Sequence, residues 1–453
     1  MVIYLLLLAL MGGGARSDIQ SLVILRPVSA AVLGYALWGL TWDRAKPFRF
    51  LVFFAIAVVL LVALHLVPLP PAIWMSLPGR EIAADVDRVA GLGSVWRPIS
   101  LTPFQTRNAL YSLVVPLAVL ALMLRLTREQ RFALIPALIL SGLFSGFIGL
   151  LQVLGPNDGP LYLYRITNYG SAVGLFANRN HQAVMLACLF PMLAVYASTG
   201  LQTIERSRFR AILAIGAGVF LVPLILVAGS RAGLIVGLFG LTAAAVLYRR
   251  PHFTKPAKRK VHRFNPNYII AGVAVFGIGA LTFIMSRAEA LDRLLARDDT
   301  EDLRFAMWPS ILEMAGKYFP IGSGFGTFVE VYQIDEPLQL LDQSYVNHAH
   351  NDWLEMIFTG GVGAVLLAAL AIAAWIRFTL ILFKMESRNG RDMMVGKLGA
   401  LIIFMLALAS IGDYPLRVPS LMGLIVIAAI WMRGGWSADQ AIDAASKKKG
   451  GAD

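Results

Sequence analysis

Residues 211–248 read AILAIGAGVFLVPLILVAGSRAGLIVGLFGLTAAAVLY, two apolar runs joined through Gly229-Ser230 and carrying one formal charge, Arg231. Each run is long enough to cross a hydrocarbon core of ~30 Å as a helix, and little more than a tight turn fits between them. Strands of a membrane barrel would be ~10 residues long and alternate in polarity, which these runs do not. The stretch therefore reads as two helices crossing a bilayer back to back, because a helix satisfies its own backbone groups in hydrocarbon. Ser230 is a natural N-cap for the second helix, placing Arg231 in its first turn.

The rest of the chain follows the same pattern. Hydrophobic residues make up 58% of the 453 positions and charged residues 15%, with a mean hydropathy of +0.69. This excludes an ordinary soluble protein and predicts an all-α polytopic membrane protein, a single integral membrane domain over 1–453. About 12 transmembrane helices are expected, at 1–14, 22–41, 50–67, 108–124, 132–154, 181–199, 211–228, 232–248, 268–286, 352–376, 398–411 and 419–432. The first is short, and a cleaved signal peptide is its rival. The opening Met1-Val2-Ile3-Tyr4 lacks a basic n-region, which favours an anchor. Alternate loops (42–49, 125–131, 200–210, 249–267, 377–397 and 433–453) hold 25 Lys/Arg against 8 Asp/Glu, whereas the remainder holds 15 against 19. By the positive-inside rule these loops and both termini are cytoplasmic. The basic run from Arg249 to Lys260 then reads as a topology and anionic-lipid signal rather than a nucleic-acid patch. The lone Cys188, inside a span, supplies neither a disulfide nor a metal site.

Two stretches on the opposite side are long enough to hold structure. Residues 68–107, from Pro68-Leu69-Pro70-Pro71 to Arg97-Pro98-Ile99-Ser100-Leu101-Thr102-Pro103, mix apolar and charged positions as short surface helices do. Residues 287–350 form a larger acidic excursion, with 11 acidic against 5 basic side chains. Helical periodicity from Leu303 to Phe319 ends in the glycine-rich turn Pro320 to Gly326. A loop of this length on a membrane enzyme is expected to be a lid or a substrate-facing element.

The chemistry-bearing residues fall where descending spans begin: Asn178-Arg179-Asn180-His181, Gly229-Ser230-Arg231-Ala232-Gly233 and His348-Ala349-His350-Asn351-Asp352. Threading puts all three on one side at similar depth. A cation in a helix's first turn opposes the dipole by roughly 0.3–1 kcal/mol, so local stability does not account for Arg231. An anion bound there reverses the sign, drawn by free N–H groups and the guanidinium together. The alternative is an interfacial arginine reaching headgroup phosphates. Arg179 repeats the arrangement with Asn178 or Asn180 as cap, and two such forks suit a diphosphate. His181 is a secondary candidate, more simply read as a structural hydrogen-bonder.

Asp352 and Glu355 have the spacing of an N-cap and its N3 partner, which starts a helix at Asp352. His350 then precedes the span in irregular backbone, where an imidazole can take a proton from an attacking hydroxyl. Two alternatives stand beside this role: a histidine that merely caps the helix, and a His348/His350/Asp352 metal set, to which only His181 and His65 could add.

At these residues the chain resembles the O-antigen ligase and polymerase family of bacterial membrane glycosyltransferases. The resemblance runs in order through Phe176-Ala177-Asn178-Arg179-Asn180, Gly229–Gly233, Arg304 with Trp308, Gly322-Ser323-Gly324-Phe325-Gly326 and His348 to Glu355, roughly residues 170–365. The segment 68–107, with Ile99-Ser100-Leu101-Thr102-Pro103-Phe104, is more similar to the exopolysaccharide branch. The resemblance implies a GT-C-like, metal-independent enzyme of the bacterial inner membrane with a periplasmic active site and no cofactor. It implies an undecaprenyl-diphosphate-linked glycan donor and a glycan or lipid A–core acceptor. By analogy His350 is the base, Arg179 and Arg231 hold the diphosphate, and Arg304 is a third anion contact. His348, His181, Asn178 and Asn351 belong to the same substrate-binding set. The competing class is a transporter or flippase for a lipid-linked sugar or anion. That class calls for ionisable residues near the bilayer midplane, whereas the cores of 132–154, 211–228 and 398–411 are apolar.

Overall fold

The computed structural model describes residues 1–199, 203–249, 299–341, 345–384 and 390–449. Seven helices among them are long and apolar enough to cross a membrane: α3 (Trp42–Leu64), α6 (Pro103–Arg125), α7 (Arg128–Leu154), α8 (Arg179–Ser198), α9 (Ile204–Val227), α13 (Asp352–Lys384) and α14 (Gly390–Gly412). Shorter apolar helices are α1 (Val2–Met11), α2 (Leu22–Trp38), α10 (Arg231–Leu247) and the apolar part, Pro419–Gly435, of α15 (Pro419–Lys449). These match every expected span except 268–286, which lies outside the described residues. The protein is an all-α polytopic membrane protein.

Several helices outrun their expected limits. α3 begins at Trp42 rather than 50, α13 continues to Lys384 rather than 376, and α14 starts at Gly390 rather than 398. Hydropathy marks only the apolar core of a span. The backbone continues helical into the interface, where charged side chains are solvated. The cations counted in the loops at 42–49 and 377–397 therefore sit largely on helix ends.

The bundle is organised around α8, of whose most apolar stretch 83% is buried, against 11% for α3 and α13. Beyond its polar first turn, Arg179 to Gln182, its side chains are apolar on all faces, as befits a helix ringed by others. Glycines bring the neighbours close: a Cβ on Gly240 of α10 would stand 2.6 Å from the Ala187 carbonyl oxygen of α8. Likewise Gly399 of α14 faces the Ala428 carbonyl of α15 with no room for a side chain. Small residues at such crossings let van der Waals packing replace the hydrophobic drive that lipid removes.

Outside the bundle, the 68–107 stretch holds the short helices α4 (Pro71–Trp74) and α5 (Glu81–Val89). They lie within a two-stranded antiparallel ladder, β1 (Pro68–Leu69) with β2 (Arg97–Pro98). The larger excursion contributes α11 (Asp299–Tyr318) and α12 (Phe328–Tyr332). A second apolar core, separate from that of the bundle, gathers Ile311, Met314, Tyr318, Phe328, Tyr332, Phe358 and Ala349. Ala349 is the residue between the two histidines.

The glycine-rich turn seals a break in α13. Gly361 adopts φ 55° and ψ −148°, outside helical space, so the carbonyls before it lose their partners. Ser323 N donates to Phe358 O at 3.1 Å, Gly324 N to Thr359 O at 2.9 Å, and Val362 N to Pro320 O at 2.7 Å. The turn fits because Gly322 and Gly324 hold φ of 88° and 115°, which side chains disfavour. Arg80 fastens the smaller excursion to the same turn. Its guanidinium is buried and donates to Pro78 O (2.8 Å), Ile99 O (2.6 Å) and Gly322 O (2.8 Å).

Candidate active site

The first and third motifs converge on a residue that the sequence reading did not single out. Asp413 follows the end of α14 and is buried. Its Oδ1 lies 3.4 Å from His350 Nδ1 and 3.7 Å from His181 Nε2, and it accepts from Tyr414 N at 2.9 Å. Its Oδ2 accepts from Asn180 Nδ2 at 2.7 Å and from Asn178 Nδ2 at 3.5 Å. Tyr414 packs among three imidazoles, with centroids 5.0 Å from His181, 4.4 Å from His348 and 4.9 Å from His350.

Local sequence sets each approach. Asn178 caps α8 by accepting from Asn180 N at 2.8 Å, which turns Asn180 and His181 inward. Ser230 caps α10 by accepting from Gly233 N at 2.9 Å, so Arg231 is the first residue of its helix, as expected. Gly233 lies against Ala183 with no room for a Cβ, which holds the mouths of α8 and α10 side by side. Arg179 and Arg231 stand there half-buried, and neither is among the described partners of Asp413. Arg304 of α11 does reach the cluster, near enough to act electrostatically on His350, Asp413 and Tyr414.

The cap of α13 is one residue earlier than its spacing suggests. Asn351 Oδ1 accepts from Leu354 N at 3.1 Å, making Asn351 the N-cap. Asp352 instead accepts from Ser410 Oγ (3.0 Å) and Leu416 N (3.1 Å) and pairs with Arg417 Nε (3.2 Å). Glu355 does reach back, to Ala349 N at 2.9 Å, and it also meets His348 Nδ1 at 3.2 Å and Arg417 Nη2 at 3.1 Å. His348, His350 and Asp352 thus turn to three different carboxylate or cation partners and not to a common point. His65, the more distant candidate ligand, is buried against Phe325 at 5.1 Å, and burial beside Arg80 pushes its imidazole down to about 4.

His350 itself has φ 48°, the left-handed region that residues other than glycine seldom enter. Such backbone persists only where surrounding structure over-determines it, and here the buried Ala349 and the capped Asn351 do so. Burial lowers the His350 pKa, an effect that the Asp413 contact opposes and Arg304 reinforces. Burial alone would raise Asp413, yet His181, the His350 contact and Arg304 hold its carboxyl well below the usual range. Tyr414 is pushed up to about 12 by burial and by Asp413. At neutral pH the site therefore pairs an unprotonated imidazole with a carboxylate that can stabilise its protonated form.

Asp413, Tyr414 and Arg417 escaped the sequence reading because it attended to the starts of descending spans, and these residues follow an ascending one. The available signal was Gly412-Asp413-Tyr414-Pro415-Leu416-Arg417, an acid and a base in a short loop between two apolar runs.

No curated protein matches the chain. A family model does, over a stretch that contains Arg231, Arg304, His348 and His350 and excludes Arg179 and Asp413. That match, over residues 216–369, makes this part of the chain similar to the O-antigen ligase family, and it takes in the motifs from Gly229 to Glu355.

Proposed function

We propose that the protein transfers a glycan from a polyprenyl-diphosphate carrier to an acceptor hydroxyl, with His350 as general base. The carrying observation is the pairing of half-buried His350 with buried Asp413 at the mouths of α8 and α13. With Nδ1 turned to Asp413, Nε2 is the nitrogen that takes the hydroxyl proton. The acceptor oxygen attacks the anomeric carbon as its bond to the diphosphate breaks, and the leaving diphosphate carries away the electron pair. Arg179 and Arg231, each at a helix N-terminus, hold that developing charge in a water-poor site, with Arg304 as a further cation. Asp413 stabilises the imidazolium formed, and Asn178 and Asn180 hold Asp413 in register. His181, His348 and Asn351 position substrate or cap the site's helices. The basic loops support a cytoplasmic side opposite this site, and with it the periplasmic face of the inner membrane and two cytoplasmic termini.

The test is a deletion strain complemented with wild type, His350→Ala or Arg231→Ala, its surface and lipid-linked glycans resolved by gel and mass spectrometry. Glycan accumulating on the carrier in the deletion and in both variants supports transfer. Long accumulated chains identify a ligase and single repeats a polymerase. Normal complementation by both variants would return the helix-start residues to a structural role and bring the transporter reading forward.

Two further results are expected. Arg231→Lys should lower kcat/KM about 10²-fold despite its retained charge, because an ammonium cannot reproduce a bidentate grip. Steady-state kinetics near wild type would remove Arg231 from the diphosphate. For pH, the base must be unprotonated, so activity falls as pH drops through the His350 pKa. Because burial lowers that pKa, the acidic limb of kcat/KM lies below the ordinary histidine value. Asp413 raises it, so Asp413→Asn moves the limb further to acid while lowering the plateau. An unmoved limb in that variant would show that Asp413 does not act through His350.

A further inference from the structure

We infer that Glu355 and Arg417 are positioning residues for the proposed base, holding the His350 backbone and the loop of Asp413 in the register where imidazole and carboxylate meet. This role rests on His350 being the general base, as proposed above. His350 sits at φ 48°, and its Nδ1 lies 3.4 Å from Asp413 Oδ1, close to the limit of a hydrogen bond. A return to ordinary backbone would swing the imidazole out of reach. Two bonds of a single residue oppose this. Glu355 Oε2 accepts from Ala349 N at 2.9 Å, and Glu355 N donates to Asn351 O at 3.0 Å. The side chain and backbone of Glu355 thus grip the chain on either side of His350, which is the one residue between them. This is not the reach of a capping box. There the acid stands three residues after the cap and returns to the cap's own N–H. Glu355 stands four residues after the cap Asn351 and reaches past it to Ala349.

Arg417 ties this grip to the other half of the pair. The Glu355 side chain is 1% exposed, and a carboxylate so buried needs a cation beside it. Arg417 Nη2 lies 3.1 Å from Glu355 Oε1, and its Nε lies 3.2 Å from Asp352 Oδ1. Arg417 follows Asp413 in the short loop between α14 and α15, and Arg417 N donates to Tyr414 O at 3.2 Å to close the turn between them. Asp352 adds a second tie by accepting from Leu416 N at 3.1 Å. His348, whose Nδ1 lies 3.2 Å from Glu355 Oε1, is held by the same carboxylate. The charges are therefore crossed: the loop offers an acid to His350 and a base to the acids of α13. Neither side can slide without breaking both ends of the pairing. The approach of His350 to Asp413 is then set by contacts that neither residue makes itself.

The test measures steady-state transfer across pH by the full-length protein in nanodiscs, as wild type, Glu355→Gln, Asp413→Asn, their double variant and His350→Asn. Carrier-linked glycan extracted from the deletion strain is the donor, and an outer-membrane extract of that strain supplies the acceptor. Among the described residues His350 is faced by Asp413 and Tyr414 of the loop, Arg304 of α11 and its neighbour His348. Of these, Asp413 is the one that raises its pKa. In Glu355→Gln an amide nitrogen replaces one of the oxygens that Ala349, His348 and Arg417 share, so the grip fails and His350 leaves Asp413. The expected result is a kcat about 10²-fold lower with an unchanged donor KM. The acidic limb of kcat/KM should move further to acid, as in Asp413→Asn, and the double variant should leave it where Asp413→Asn alone puts it. Glu355→Asp keeps the charge for Arg417 and shortens the reach to Ala349. It should reproduce the displaced limb, and it carries the test if Glu355→Gln does not fold. An unmoved limb in both Glu355 variants reduces Glu355 to a contact that only stabilises the fold and overturns the inference. So does a double variant whose limb moves by the sum of two separate shifts, the sign of Glu355 acting by charge alone. Transfer at the wild-type rate in His350→Asn overturns the base, and this role with it. Loss of transfer there beside wild-type kinetics in Glu355→Gln overturns the positioning role alone.

Discussion

Replacing His350 with asparagine is expected to lower single-turnover glycosyl transfer about 10³-fold, some 4 kcal/mol of barrier, with the fold and donor binding retained. Asparagine is the informative substitute because the position has φ 48°, and asparagine tolerates the left-handed region better than alanine does. Its amide can still meet Asp413, so the change removes proton acceptance rather than the local hydrogen bond. Donor binding should survive because the proposed diphosphate contacts, Arg179 and Arg231, lie on α8 and α10. A variant that transferred normally in a single turnover but had lost the donor would contradict the base and recast His350 as a binding residue.

The second large effect is on folding. Gly361→Val should destabilise the detergent-solubilised protein by about 3 kcal/mol or more and reduce its yield in membranes. Two independent reasons converge on this glycine. Its φ of 55° with ψ −148° is essentially closed to a β-branched residue. A Cβ there would also collide with the Pro320 carbonyl oxygen, which is held by Val362 N at 2.7 Å. Relieving the collision means withdrawing the turn that satisfies Phe358 O and Thr359 O. A thermal midpoint and membrane yield equal to wild type would show that the break in α13 is not required.

The bundle was legible because hydropathy reports spans directly, and the caps of α8 and α10 were legible because Asn178 and Ser230 act within three residues of themselves. The α13 cap was misjudged by one position. Asp352 has the right side chain for a cap, but Arg417 and Ser410, each more than fifty residues away, compete for it. Asp413 was invisible for the same reason: its importance lies in partners 63 and 233 residues distant, His350 and Asn180. The break in α13 was only half legible. Gly360-Gly361 stood in the sequence, as did the glycines of 322–326, but nothing local says that one pair of glycines creates the vacancy that the other fills.

That interlock bears on how substrates come and go. A loop rich in glycine near the proposed base His350 invites comparison with a flap that swings aside at each turnover. Here the flap's amides are the missing rungs of a membrane helix, and Arg80 pins its crest to a second, distant segment. Lifting it would strand buried carbonyls at about 1–3 kcal/mol apiece and take from buried Arg80 one of its three carbonyl acceptors. The turn behaves as masonry and not as a hinge, so that, on the proposed function, traffic runs sideways, along the plane of the lipid, beneath a ceiling that stays put.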